Sequence, residues 1–289
     1  MKKYLRKLVH RLLTHPRLRA AVYRSVVDDN QLMVRLNDDH IIVCDPSDFI
    51  GRLVIEKGDW SRRVTDQIID RIEERRSDTQ RGAWLEIGAN IGTQSVYAGK
   101  RDVFTQLICI EPDPLNQRLL EINLRSNGLQ DISRVIGVGV SDSSSTMSLH
   151  RAPGNSGGAS LMPELENRAE GSEDLLRSSS HVDVPVLSGP DLIAEIGLKP
   201  IDIEFIWVDV EGFELRVLSS LLPELQHSVP VFFEYKPFFH KPDARAEFED
   251  MIFGNYASVT EILRNGDEVT LDRAGFQKIS QETDILLLP

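Results

Sequence analysis

From Ala83 onward the chain alternates short apolar runs with helix-patterned stretches, and this alternation narrows the available folds more than any other feature. The runs cover residues 84–87, 107–110, 135–138, 205–208 and 229–233. Each is short, continuous and rich in β-branched or aromatic residues, as expected of strands buried on both faces. Helical patterning follows the first, second, fourth and fifth. Repeated βα units predict a doubly wound, mostly parallel α/β sheet with helices on both faces. Two further runs, 259–263 and 284–288, lack a convincing crossover helix between them and are expected to form an antiparallel edge.

The residues before this region predict an N-terminal helix and a β-hairpin. Leu5, Leu8, Val9, Leu12 and Leu13 line one face of a helix, Lys2, Lys3, Arg6, Lys7 and Arg11 cover much of the rest, and Pro16 ends or kinks it. Two β-rich runs, 31–36 and 40–44, flank the turn Asn37-Asp38-Asp39, and a helix over 61–76 follows with Val64, Ile68, Ile69 and Ile72 inward. The organisation is therefore a basic head over 1–27, a hairpin-and-helix cap over 28–80, and a main domain over 81–289. Within the main domain, residues 143–181 are rich in Ser, Gly, Glu and Asp. They are expected to be an irregular lid or loop, with a short helix near 163–170.

Charge divides the chain unevenly. Residues 1–24 hold eight Lys/Arg and no Asp/Glu, while the remainder carries 25 basic and 45 acidic side chains. An acidic body repels phosphate backbones, so nucleic acid is not the expected partner. The basic head is expected to pack its apolar stripe on the main domain or on a second copy, or to lie peripherally on an anionic membrane. No stretch approaches the roughly 18 apolar residues of a span, and basic residues interrupt the apolar segment that a signal peptide requires. The cytoplasm is the expected compartment. Two cysteines, Cys44 and Cys109, cannot build a disulfide framework; Cys109 reads as a small core residue.

The strongest chemical signal is Trp84-Leu-Glu86-Ile-Gly88-Ala-Asn90-Ile-Gly92-Thr-Gln-Ser95. It joins a strand, a glycine turn and a helix start, where missing Cβ atoms let a ligand approach the backbone. The spacing Gly-x-Asn-x-Gly differs from the dinucleotide fingerprint. A carboxylate at Glu86 suits a cationic amino-acid moiety better than a pyrophosphate. The second strand ends in Ile110-Glu111-Pro112-Asp113, placing an acid where doubly wound sheets bind ribose hydroxyls. Val140-Ser141-Asp142 after the third strand offers an acceptor for an exocyclic amine. The fourth strand closes in Val208-Asp209-Val-Glu211-Gly212-Phe-Glu214. Its acidic trio is also a set that a hard cation accepts, although no metal is assigned.

Together these motifs, with Asn123, Asn127 and Asn155-Ser-Gly-Gly-Ala-Ser160, resemble the FkbM-type family of S-adenosylmethionine-dependent methyltransferases over about residues 50–289. The chain departs from that family at Glu86, where many relatives have Asp, and at Trp207, where relatives often have Lys. The resemblance implies a Rossmann-like, class I methyltransferase fold and S-adenosyl-L-methionine as cofactor. Glu86 and the turn through Gly88, Asn90, Gly92 and Ser95 would hold its methionine end. Glu111 and Pro112 would take the ribose, Val140, Ser141 and Asp142 the adenine, and Asp209 would face the sulfonium. The expected reaction is O-methylation of a small hydroxylated molecule such as a sugar or glycan precursor. Asp209 and Glu211 are the candidate catalytic residues, with His240 and Lys236 further candidates near the fifth-strand exit. A nicotinamide-dependent oxidoreductase and a catalytically silent docking module are the competing readings.

Overall fold

The structure is a computed structural model that describes residues 31–76, 81–162, 180–225 and 228–289. The expected basic helix, the expected helix near 163–170 and the part of the expected lid over 163–179 lie outside these residues. No helix among the described residues is long and apolar enough to cross a membrane.

Among the described residues the central sheet has eight strands. β3 (Ala83–Ile87), β4 (Gln106–Ile110), β5 (Ser133–Ile136), β10 (Ile203–Val208) and β11 (Val231–Tyr235) run parallel. β14 (Thr283–Leu288) is inserted antiparallel between β11 and β12 (Ser258–Ile262), and β13 (Glu268–Thr270) closes that edge, giving the order β13-β12-β14-β11-β10-β3-β4-β5. The fold is Rossmann-like. Successive side chains alternate between faces, so Leu85 and Ile87 enter one apolar cluster while Trp84 enters the other.

The cluster around Trp84 is shared with the N-terminal cap. The cap consists of the hairpin β1 (Met33–Leu36) and β2 (Ile41–Cys44), followed by α1 (Phe49–Lys57) and α2 (Arg62–Arg75). Ile42, Cys44, Val54, Ile68 and Ile69 pack there with Val96 of α3 (Thr93–Lys100) and Leu120 of α4 (Pro114–Ser126). α1 carries no marked sequence signal beyond its cap, the Asp48 carboxylate accepting from Ile50 N at 2.9 Å.

The free edge of β2 is satisfied by side chains. Asn123 accepts from Val43 N at 2.6 Å and donates to Val43 O at 3.0 Å and Ile91 O at 2.8 Å. One turn on, Asn127 accepts from Ile41 N at 2.9 Å and donates to Ile41 O at 2.7 Å. Two asparagines four residues apart on α4 thus replace a missing neighbouring strand and bind the hairpin to the main sheet.

The segment expected to be an irregular lid over 143–181 is ordered where it is described, which corrects that expectation. β6 (Gly139–Ser141), β7 (Ser145–Ala152), β8 (Asn155–Ser160) and β9 (His181–Ser188) form a second sheet in the order β6-β9-β7-β8. β7 contributes Leu149 and Met147 to the core, and its other residues are polar apart from Ala152. Pairing with β9, from Ser145 opposite Val186 to His150 opposite His181, stabilises it, and local composition carries no trace of so distant a partner. Arg151 of β7 forks onto Asp113 at 2.6 and 2.7 Å, tying this sheet to the start of α4. α5 (Gly189–Ile196), also unexpected, packs with α6 (Glu214–Leu221) and α7 (Pro242–Asn255) in the second apolar cluster. A short α8 (Arg273–Phe276) precedes β14.

Candidate functional site

Strand order reverses between β3 and β10: the chain runs outward from β3 through β4 to β5, then returns to β3's other side. Open α/β sheets bind ligands in the crevice at such a switch point, beyond the carboxyl ends of the strands. Gly88 and Asp209 are the first residues past β3 and β10. Asp209 N donates to Ile87 O at 2.9 Å, and a Cβ at Gly88, whose φ is +90°, would stand 1.7 Å from Asp209 O. Only glycine permits that approach.

The turn continues through Asn90 (φ +50°) to Gly92 (φ +83°), whose missing Cβ makes room for Leu120. Glu111 clasps it: Oε2 accepts from Asn90 N at 2.7 Å and Oε1 from Asp113 N at 2.8 Å. Burial nevertheless pushes the Glu111 carboxyl up to about 7, against those two donors. Glu86 lies beneath the turn. Its Oε2 accepts from the Ser95 hydroxyl and from Trp84 Nε1 at 3.2 Å, and full burial pushes it up to about 8.

Two cavities open at the crevice. The smaller, about 50 Å³, is walled by Ile110, Glu111, Pro112, Val140 and Leu149 and covered by Ser156 and Gly157 of β8. The larger, about 1020 Å³, has Asp209, Glu211, Glu234 and Lys236 among its lining, with Phe49 and Trp60 contributed by the cap. Gly88, Asn90, Gly157 and Asp209 line both. Of the sequence-expected residues, the structure therefore brings Gly88, Asn90, Glu111, Pro112, Val140, Asp209 and Glu211 to cavity walls. Glu86, Gly92 and Ser95 line neither cavity and support the turn from below. Ser141 is buried with its hydroxyl donating to Asp142 at 2.9 Å, Asp142 is exposed, and neither lines a cavity.

The acidic motif after β10 divides its labour. Glu211 (φ +52°) and Gly212 (φ +102°) turn the chain sharply. Glu214 reaches back to accept from Gly212 N at 3.0 Å, and burial lifts its carboxyl to about 7. It serves that turn rather than the cavity. Lys236 sits against Glu211 and, at 2.6 Å, Glu234; Glu282 lies 3.8 Å away. The surrounding carboxylates hold Lys236 charged in spite of its burial.

Burial, with Glu211 beside it, raises Asp209 well above the usual carboxylate range, and Lys236 only partly opposes this. Oδ1 of Asp209 is buried without a hydrogen-bond partner among the described residues. Asp209, Glu211 and Glu234 offer oxygens within 4.8 Å of one another. A hard cation accepts such a set, but the Lys236 ammonium already rests on two of its members. Glu234 escaped the sequence reading, although a carboxylate closing the fifth run marks it just as Asp209 closes the fourth. His240 lines neither cavity. It stacks on Tyr235 at 6.2 Å, and burial with Arg245 nearby lowers its pKa to about 4, leaving a neutral ring.

Methyltransferase sdnD of Sordaria araneosa is 28% identical over 189 residues, covering 58% of this chain and 72% of the relative. The solved methyltransferase FkbM of Methylobacillus flagellatus KT aligns with a TM-score of 0.45 at 15% identity, over 72% of this chain. This chain spans only 43% of that protein's length. An O-methyltransferase of Bacillus cereus solved in complex with SAH aligns with a TM-score of 0.39 at 10% identity, covering 72% of this chain and 74% of its own. Residues 86–258, more than half of the chain and the stretch from Glu86 through Asp209 and Glu234 to the first residue of β12, match the methyltransferase FkbM domain, and the chain belongs to that family.

Proposed function

We propose that the protein is an S-adenosylmethionine-dependent methyltransferase that methylates a hydroxyl of a small molecule such as a sugar or glycan precursor. One observation carries the reading: two cavities of different character meet at Gly88 and Asp209, over the switch point of the sheet. Transfer between two bound molecules needs such a junction, with each reactant held on its own side and aligned at the boundary.

The residues present fit the cofactor. Ile110, Val140 and Leu149 make an apolar slot for a purine and Glu111 stands beside it for ribose hydroxyls. Bare backbone at Gly88 allows close approach, and the orphan oxygen of Asp209 suits a positive charge. Glu86 and Ser95 would act by fixing the turn. The slot, at about 50 Å³, shares Gly88, Asn90, Gly157 and Asp209 with the larger cavity, so a cofactor held in it would reach the boundary between the two. The cofactor, when bound, supplies an electrophilic methyl group on a sulfonium.

The larger cavity would hold the acceptor, with Phe49 and Trp60 at its cap side and carboxylates at its floor. An acceptor hydroxyl that took the methyl group, with the sulfonium sulfur leaving as a neutral thioether, would also have to shed its proton, and Asp209 or Glu211 would receive it. A base placed in this way contributes on the order of 10²- to 10⁴-fold. The test is calorimetric titration of the full chain with S-adenosylhomocysteine and, separately, NAD, followed by a mass-spectrometric screen of hydroxylated acceptors for a gain of one methyl group. Saturable binding of the homocysteine product alone is the expected result. Binding of NAD alone, or of neither, would refute the reading.

A further inference from the structure

We propose that Glu234 joins Asp209 in a two-carboxylate seat for the positive charge of the methyl donor, with Lys236 as the residue that positions it. The inference rests on the S-adenosylmethionine reading above. Its ground is register: Val208 pairs with Phe233 across the parallel strands β10 and β11, so Asp209 and Glu234 are next in line on adjacent strands. Their carboxylate oxygens and that of Glu211 lie within 4.8 Å of one another. Asp209 lines both cavities, and its Oδ1 is buried without a hydrogen-bond partner among the described residues.

Three carboxylates this close repel one another, and one ammonium cannot offset them all. Lys236 is committed to Glu211 and Glu234, which fixes both side chains and leaves Asp209 to face the junction. The elements packed around the cluster deepen the excess. Glu214 of α6 and Asp284 of β14 add negative potential at Asp209. Glu282 lies beside Lys236, and the positive charge of Arg264 offsets Asp284 only in part. The floor therefore favours a ligand group carrying positive charge. The methyl donor's sulfonium carries such a charge at every pH, whereas its demethylated product is a neutral thioether. Loss of the methyl group thus removes the attraction that held the donor, which favours release of product over donor.

The test needs no acceptor. Calorimetry on the full chain at pH 7.5 compares S-adenosylmethionine with S-adenosylhomocysteine. The donor is expected to bind about tenfold more tightly, a ratio worth about 1.4 kcal/mol. Glu234→Gln should remove most of that preference by weakening the donor while leaving product affinity within about twofold. Lys236→Met should shrink the preference, because Glu211 and Glu234 then lose the ammonium that holds their side chains in place, and Lys236→Arg should keep it. Circular dichroism checks the fold of each variant, and Glu234→Gln decides the matter if Lys236→Met does not fold. Equal binding of donor and product by the unaltered protein, or parallel losses for both ligands in Glu234→Gln, would overturn the seat. Failure of the unaltered protein to bind either ligand would instead overturn the cofactor reading.

Discussion

Removing the amide of Asn123 should loosen the N-terminal cap from the main sheet. In Asn123→Ala, Val43 N–H loses its acceptor, and Val43 C=O and Ile91 C=O lose their donor. Asn123 is fully buried, so water cannot readily replace its amide without a local opening. An unsatisfied buried polar group costs about 1–3 kcal/mol. Three such groups, two of them on one residue able to relax together, place the expected loss at about 3–5 kcal/mol. Urea unfolding followed by tryptophan fluorescence would measure it, since Trp60 belongs to the cap and Trp84 to the sheet beneath. Asn123→Asp keeps the shape and the acceptor but removes both donors, and should be nearly as damaging. The cap also carries Phe49 and Trp60 to the larger cavity, so a change at α4 should reach the acceptor side without touching the crevice. A loss below 1 kcal/mol for Asn123→Ala, or full stability in Asn123→Asp, would refute the view that these side chains stand in for a strand.

Three further outcomes are expected. Gly88→Ala places a methyl 1.7 Å from Asp209 O at a φ of +90°; it should cost about 2 kcal/mol or more by thermal unfolding and weaken S-adenosylhomocysteine binding at least tenfold, and a neutral result would contradict the close approach. Asp209→Asn, assayed once an acceptor is identified, should lower turnover by about 10²-fold or more, well beyond its effect on cofactor affinity, and unchanged turnover would remove it from the chemistry. Glu86→Gln tests the buried carboxyl. Its folded pKa of about 8 lies above the unfolded value, so its stabilising protonated form prevails below about 4.5 and is lost as pH rises through about 8. The variant should therefore gain on the natural protein across that window, by up to roughly 5 kcal/mol at the alkaline end, whereas parallel urea midpoints at pH 5 and pH 8.5 would refute the assignment.

Much of the crevice was legible because its residues announce themselves locally. Gly88 and Gly92 flank a turn directly after an apolar run, and Glu111 and Asp209 each close such a run, so residue type and position on the strand coincide. Glu234 follows the same rule and was overlooked among the aromatic residues around it. The second sheet was not legible: β7 buries little apolar surface of its own, and its stability comes from β9, more than thirty residues away. Nor does composition reveal that Glu86 and Ser95 bond to each other below the turn, or that Ser141 turns toward an exposed Asp142.

What the chain's own order of residues determined is the alternation of buried strands and helices, and with it the parallel sheet and the edge where ligands meet it. Periodicity and glycine placement are local properties, and short-range sterics suffice to express them. Packing of distant segments sets which carboxylates share a floor, makes Lys236 the ammonium among them, and brings two asparagines of α4 to complete the cap. Those facts depend on register between strands and on contacts between distant residues, and the energies that set them come from burial and charge in a packed interior, where no single stretch of sequence contains both partners.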